Sequence, residues 1–325
     1  MKFFLTTLLI ILLVANVFAQ ENDKELKISG KPFIKSFASY KSSFTDGENH
    51  NQFEIQRACF GYAFNLSEEF SGKVNLDVCN PGVGELNMTA YLKNAYFQYK
   101  SNRLTTKFGL IELSQFCLQE KQWGGRYLYK SFQDEHKFGS SADLGIYASY
   151  KIHDIVSVDA TIANGDGYKL IEADSVLKYS AGITITPLKG LNARVYYDFM
   201  GFDSSQQTLS FYLGYGTSKL KIGAEYNQQL NYNIKEDQDR TGFSFYGSYK
   251  IMKVKIFGRF DKLSSIKVAT EEDPWNYVKD GQAIIFGIEF SPVKGLKISP
   301  NYQTWIPANG DPVVNIAYLS CEIKF

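Results

Sequence analysis

The chain has 325 residues, with 35 Lys plus Arg against 34 Asp plus Glu and a formal net charge of +1. So even a balance argues against a nucleic-acid partner, which calls for a basic excess. With 22 Tyr, 25 Phe, 26 Gly and only 8 Pro, and no long apolar run beyond the N-terminal one, the composition excludes helical membrane spans and points to an exported all-β chain.

The opening MKFFLTTLLIILLVANVFAQ couples Lys2 to an apolar run over 3–15 and small residues before Gln20. This pattern predicts a secretory signal peptide over 1–19, cleaved after Ala19. The run is shorter than the ~20 residues a spanning helix needs. Loss of Lys2 leaves 34 residues of each sign, and no Cys follows the cleavage point to carry a lipid.

From there the chain reads as alternating segments of period two. In order they are 26–40, 53–64, 70–79, 89–100 and 103–110, then 144–152, 155–163, 175–186 and 191–199. They continue as 208–216, 220–228, 242–250, 254–262, 282–291, 296–304 and 313–325. That makes sixteen strands of roughly ten residues. Connections after even-numbered strands are tight, such as Ser101-Asn102, His153-Asp154 and Pro187-Leu188-Lys189-Gly190. Those after odd-numbered strands are longer and polar, as over 41–52, 229–240 and 263–281. Short turns on one rim and long loops on the other are what an outer-membrane barrel has and a sandwich does not require.

Within the later strands one parity is apolar. Leu191, Ala193, Val195, Tyr197 and Phe199 alternate with Asn192, Arg194, Tyr196 and Asp198. A charge facing lipid near the midplane costs about 2–4 kcal/mol, so a charge-free parity is expected to face lipid. Tyr40, Tyr99, Tyr150 and Tyr249 near strand ends suit interfacial girdles. The final strand carries Ala317, Leu319, Cys321, Ile323 and Phe325 on one face, similar to the aromatic-ended C-terminal signal of bacterial outer-membrane proteins. Two details break the pattern. Glu54 and Gln56 share parity with Phe60, Tyr62 and Phe64, so the second strand must change face, bulge or project above the bilayer. Pro300 interrupts a ladder and predicts a bulge or a shorter strand.

The stretch 111–142 has neither period and is too long for an idle connection. It is expected to fold into the lumen as a constriction loop, with Gly124-Gly125 allowing a sharp bend. Its Trp123, Tyr127, Tyr129 and Phe132 either form a stacking slide for sugars or pin the loop to the wall, and pinning is the more ordinary role. If the other strand parity lines the pore, its basic residues are Arg57, Lys73, Lys107, Arg194, Lys221, Lys255, Arg259 and Lys297. Its acidic ones are Asp77, Asp198, Glu225, Asp261 and Glu289. Such charges either favour anions or simply pair across strands. The four cysteines, Cys59, Cys79, Cys117 and Cys321, show no metal-ligand spacing; an even count permits disulfides, while Cys59 and Cys321 fit strands as small apolar residues. With three histidines, His50, His136 and His153, and no hydrolase or metal motif, the sequence predicts neither an enzyme nor a cofactor. Asn164-Gly165-Asp166-Gly167 reads as a tight turn, not a calcium loop.

Between about 50 and 170 the chain resembles the phosphate-selective porin O and P family. The resemblance is carried by Phe53-Glu54-Ile55-Gln56-Arg57-Ala58, Leu92-Lys93-Asn94-Ala95-Tyr96-Phe97-Gln98-Tyr99 and Lys107-Phe108-Gly109-Leu110. Arg126, Phe132, Phe138-Gly139-Ser140-Ser141-Ala142-Asp143-Leu144-Gly145-Ile146 and Asn164-Gly165-Asp166-Gly167 complete it. It implies a sixteen-stranded, homotrimeric diffusion channel whose constriction loop carries basic residues, here Lys121, Arg126, Lys130 and Lys137, mixed with Glu120, Asp134 and Glu135. The expectation is a single outer-membrane barrel over 20–325, in contact with lipid, passing small hydrophilic or anionic solutes. The other class of function is a plugged structural or adhesive barrel that binds partners through its outer loops.

Overall fold

The computed structural model describes residues 28–80, 88–173, 175–202, 204–268 and 271–325. The predicted signal peptide lies outside the described residues. Sixteen strands are described: β1 (Ser29–Thr45), β2 (Glu48–Asn65), β3 (Phe70–Cys79), β4 (Thr89–Lys100), β5 (Leu104–Glu112), β6 (Ala142–His153), β7 (Val156–Ala163) and β8 (Lys178–Leu188). They continue as β9 (Leu191–Met200), β10 (Gln206–Gly216), β11 (Leu220–Leu230), β12 (Arg240–Ile251), β13 (Val254–Ser265), β14 (Gly281–Phe290), β15 (Leu296–Pro307) and β16 (Val314–Lys324). Each is antiparallel to its sequence neighbours. β16 returns to β1 with Ala38 opposite Cys321, so the sheet is a closed barrel. Closure leaves no strand at an edge, which is how an all-β chain satisfies its backbone without external partners.

The rim asymmetry holds, with one correction. Connections such as 66–69, 154–155 and 252–253 are short, and their counterparts at 113–141, 164–177 and 266–280 are long. The expected loop over 41–52 is instead strand. The hairpin closes at Asp46-Gly47, whose φ values of 48° and 80° suit a two-residue turn matching the strand twist. Where a hairpin rises above its neighbours both faces are wet, so the polar run at its tip loses the alternation that marks a strand.

Alternation elsewhere sorts side chains as the period predicts. Val195, Tyr197 and Phe199 are exposed on the outer face of β9, while Arg194, Tyr196 and Asp198 are buried inside. Leu213, Phe245, Phe286, Leu319, Tyr150 and Tyr249 extend the apolar outer surface around the wall. The anomaly in β2 is a bulge: Phe37 pairs with Arg57 and Ala38 with Ile55, leaving Gln56 as the extra residue. Glu54 and Gln56 on one side of it and Arg57 and Cys59 on the other therefore share the lumen face. A second bulge lies in β4, where Asn75 pairs with Asn94 and Leu76 with Leu92, so Lys93 is the inserted residue.

Pro300 produces neither the expected bulge nor a shortened strand. β14 and β15 keep one register from Gly287–Asn301 to Phe290–Ile298, but the pairs between them are unmade. Proline cannot donate there, and the Ser299 hydroxyl donates to the Ile288 carbonyl at 2.7 Å instead. We predict that Ser299→Ala strands that carbonyl and lowers stability by about 1 kcal/mol in an equilibrium urea titration, with the barrel signature in circular dichroism retained.

Candidate functional site

The stretch after β5 turns into the barrel. Two short helices, α1 (Cys117–Trp123) and α2 (Phe132–Glu135), are linked through Gly124, whose φ of 66° ends α1 in the left-handed region. Gly124 makes that bend without the steric cost a Cβ would carry.

Its anchors lie along one arc of the wall. Entry is fixed at β7 and β9, where Arg194 Nη1 and Nη2 donate to Asp159 at 2.6 and 2.9 Å and Nη2 also reaches Ser114 Oγ at 3.2 Å. Trp123 packs on Tyr246 and Phe257 with centroids at 5.4 and 6.0 Å, and its indole N–H donates to the Tyr129 carbonyl. Arg259, only 4% exposed, forms a 2.6 Å ion pair with Asp261, donates to the Lys130 carbonyl at 2.7 Å and lies between the Trp123 and Tyr129 rings. Tyr127 donates to Glu289 at 2.8 Å, and Gln303 donates to the Leu128 carbonyl at 3.0 Å. The exit is held by Arg240, which donates to the Lys137 carbonyl at 2.8 Å and stacks on Phe138 and Tyr232. Trp123, Tyr127 and Phe132 are buried against the wall, so pinning is their role and they present no stacking slide.

The arc from β1 to β6 carries few anchors and faces the loop across the lumen. Arg57 Nε and Nη2 both donate to Asp77 at 2.6 Å, and Asp77 also accepts from Tyr168 at 2.7 Å. Lower down, Lys73 and Lys107 share Glu112 at 2.6 and 2.8 Å. On the loop, Arg126 bridges Glu120 and Asp134 at 3.3 and 2.9 Å, and Lys130 lies 3.7 Å from Glu135. Lys93 on the wall lies near enough to Glu120 and Arg126 on the loop to interact with them electrostatically. A cavity of about 1240 Å³ opens between the loop and the long-loop rim.

The eight residues singled out from sequence thus separate by place. Arg57, Arg126, Lys130 and Lys137 line the cavity, while Lys107 is half-buried beside Glu112 and Lys121 is exposed on the loop. Arg194 and Arg259 are buried and hold the loop. Lys93, part of the resemblance but not of the expected lumen set, reaches the inner face through a bulge; two successive polar residues, Lys93 and Asn94, between Leu92 and Ala95 are its trace in the sequence. The four cysteines are free: Cys59 faces inward with Sγ 3.4 Å from Asp77, and Cys117 bonds the Leu113 carbonyl at 2.8 Å. No group of His, Cys, Asp and Glu among the described residues could hold a metal.

No protein-family model matches the chain, and no characterised protein matches it by sequence. Solved structures do. The outer membrane channel DcaP of Acinetobacter baumannii aligns at 13% identity over 94% of this chain and 99% of that one, with a TM-score of 0.66. Salmonella typhi OmpF, solved with daunomycin, aligns at 10% identity over 91% and 97%, with a TM-score of 0.67. A trimer form of OmpT, an outer membrane protein of Vibrio cholerae, aligns at 12% identity over 91% and 100%, with a TM-score of 0.57. At such identities the likeness establishes the fold.

Two outcomes follow from the anchoring. Trp123→Ala removes the central packing of the loop and is expected to cost about 3–5 kcal/mol of its docking, read as faster proteolysis within 111–142 while the barrel stays intact. His136 packs at a tilt against Phe132, with ring centroids 4.6 Å apart, and lies 6.0 Å from the Trp305 ring. Burial, reinforced by Arg259, Arg240 and Lys130 against the opposing Asp261, pushes its imidazole down to about 4 from 6.5. The docked loop holds the neutral ring, so this contribution is complete above about pH 6.5 and is lost as pH falls toward 4. Proteolytic protection of the loop should fall over that window, and His136→Phe should flatten the dependence.

Proposed function

We propose that this barrel is an outer-membrane porin that passes small hydrophilic solutes by passive diffusion, with a mild preference for anions. The observation that carries the reading is the loop held to one arc of the wall while a charged, polar arc is left facing it. Such an arrangement narrows a lumen without filling it. The apolar outer belt suits lipid, and the sequence pattern at 1–19 suits export. The overall similarity to the outer membrane channel DcaP and to OmpF fits this location. The trimer form of the Vibrio protein, together with the sequence resemblance, supports a homotrimer.

The anion preference has a physical source. In the half of the lumen toward the short turns, Lys35, Lys73, Lys107, Lys121, Lys221, Lys255 and Lys297 outnumber Glu112, Glu120, Glu289 and Glu322. Lys121 and Lys221 make no ion pair among the described residues. A surplus of fixed positive charge in a narrow aqueous space raises the local anion concentration. Phosphate is one anion it would serve, as the family resemblance implies.

In planar bilayers the purified protein should give stepwise conductance, and trimming residues 122–136 should enlarge each step; a silent protein that stays silent after trimming is the plugged barrel. Reversal potentials in a KCl gradient should report chloride over potassium, and Lys121→Glu combined with Lys221→Glu should reverse the sign. Cation preference in the unmodified protein overturns the anion reading. Phe245→Arg places a charge on the outer belt and should cost about 2–4 kcal/mol of folding into lipid vesicles.

A further inference from the structure

Many charges of the lumen are matched in pairs; besides Lys121 and Lys221, two lysines in a patch beside β4 are not. On β4, Tyr91 meets Tyr168 of the β7–β8 connection edge to face, with centroids 6.2 Å apart and planes at 85°. Lys93 Nζ lies 5.1 Å from the Tyr168 ring centre and Lys169 Nζ 5.0 Å from that of Tyr91. Neither ammonium has a carboxylate at ion-pair distance among the described residues. The polar neighbour of Lys169 is Cys79 Sγ at 3.3 Å.

The nearby acid cannot serve them. Asp77 is fully buried and already accepts two bonds from Arg57, one from Tyr168 and one from Cys59. Its charge is matched by Arg57, so the two lysines are a local surplus. Tyr91, Tyr168, Lys169 and Arg57 all line the outer cavity of about 1240 Å³, which leaves room for a solute beside them.

We propose that this patch is a binding site for aromatic carboxylates, entered from the long-loop side. The ring would lie against the Tyr91–Tyr168 pair, and the carboxylate would take Lys169 or, one step deeper, Lys93. A ring-bearing anion answers both unmet demands together: a cation without a counter-charge and aromatic surface facing water. An inorganic oxyanion would use only the first, because the planar donor fork of Arg57 is occupied by Asp77. The proposal rests on a solute-accessible lumen.

The test compares benzoate, cyclohexanecarboxylate and acetate on the full-length reconstituted protein, reading the concentration that halves single-channel current. Benzoate should act at about fivefold lower concentration than cyclohexanecarboxylate, the size of one favourable aromatic contact. Acetate should be weaker still. Tyr91→Leu should erase the difference between the two ring acids, and Lys169→Gln should weaken both. Equal potency of the two ring acids, or a difference that survives Tyr91→Leu, overturns the site. Calorimetric titration of detergent-purified protein with benzoate reads the same site without conduction. A silent barrel that binds benzoate refutes only the channel reading; a conducting barrel that ignores it refutes only the site.

Discussion

The constraint on which this molecule depends is that every strand must be paired on both sides. Closure of β16 onto β1 meets it around the wall, and at one break in the ladder a side chain takes the place of the missing bond. At Pro300 the substitute is a serine hydroxyl. Once the ladder is closed, side-chain direction has period two and nothing else to decide, so one parity is committed to the outside and the other to the lumen. The bulges at Gln56 and Lys93 are local exceptions that serve the same end. Each moves a charged stretch back onto the inner face without opening the ladder, and together they place Arg57 and Lys93 opposite the loop.

The inner surface is built largely of matched charge. Arg57–Asp77, Arg194–Asp159, Lys178–Asp198 and Arg259–Asp261 are each short and at least half buried. Removing one member of such a pair leaves the other desolvated and alone, which costs far more than the pair is worth against a hydrophobic replacement. The loop uses three of these pairs as fixed points, through Arg194 to Ser114, Lys178 to Gln115 and Arg259 to Lys130. Its aromatic side chains then fill the space against β10 to β15 and Phe37 of β1, forming one dry seam.

The barrel was legible from the sequence because alternation and turn chemistry are local signals. Sixteen strands, the two rims and the inward position of 111–142 follow from them, and the strand ends differ by a few residues. What was not legible depends on contacts between distant segments. Nothing local distinguishes Arg57, at the cavity wall, from Arg259, which carries the same charge on the same parity and ends up beneath Trp123 and Tyr129. Lys93 was hidden by a bulge set by its pairing with β3, and the hairpin tip by water on both its faces. Arg240 read as the last residue of a loop, yet it starts β12 and joins two loops.

The separation of the two arcs has an evolutionary side. Residues that hold the loop lie mostly on β7 to β15, while β1 to β6 set Arg57, Lys73, Lys93 and Lys107 on the inner face across from it. A change on the second arc alters the charge facing the loop without touching the seam that holds the loop in place. Divergence should therefore be tolerated unevenly around the circumference, more freely on one flank than on the other.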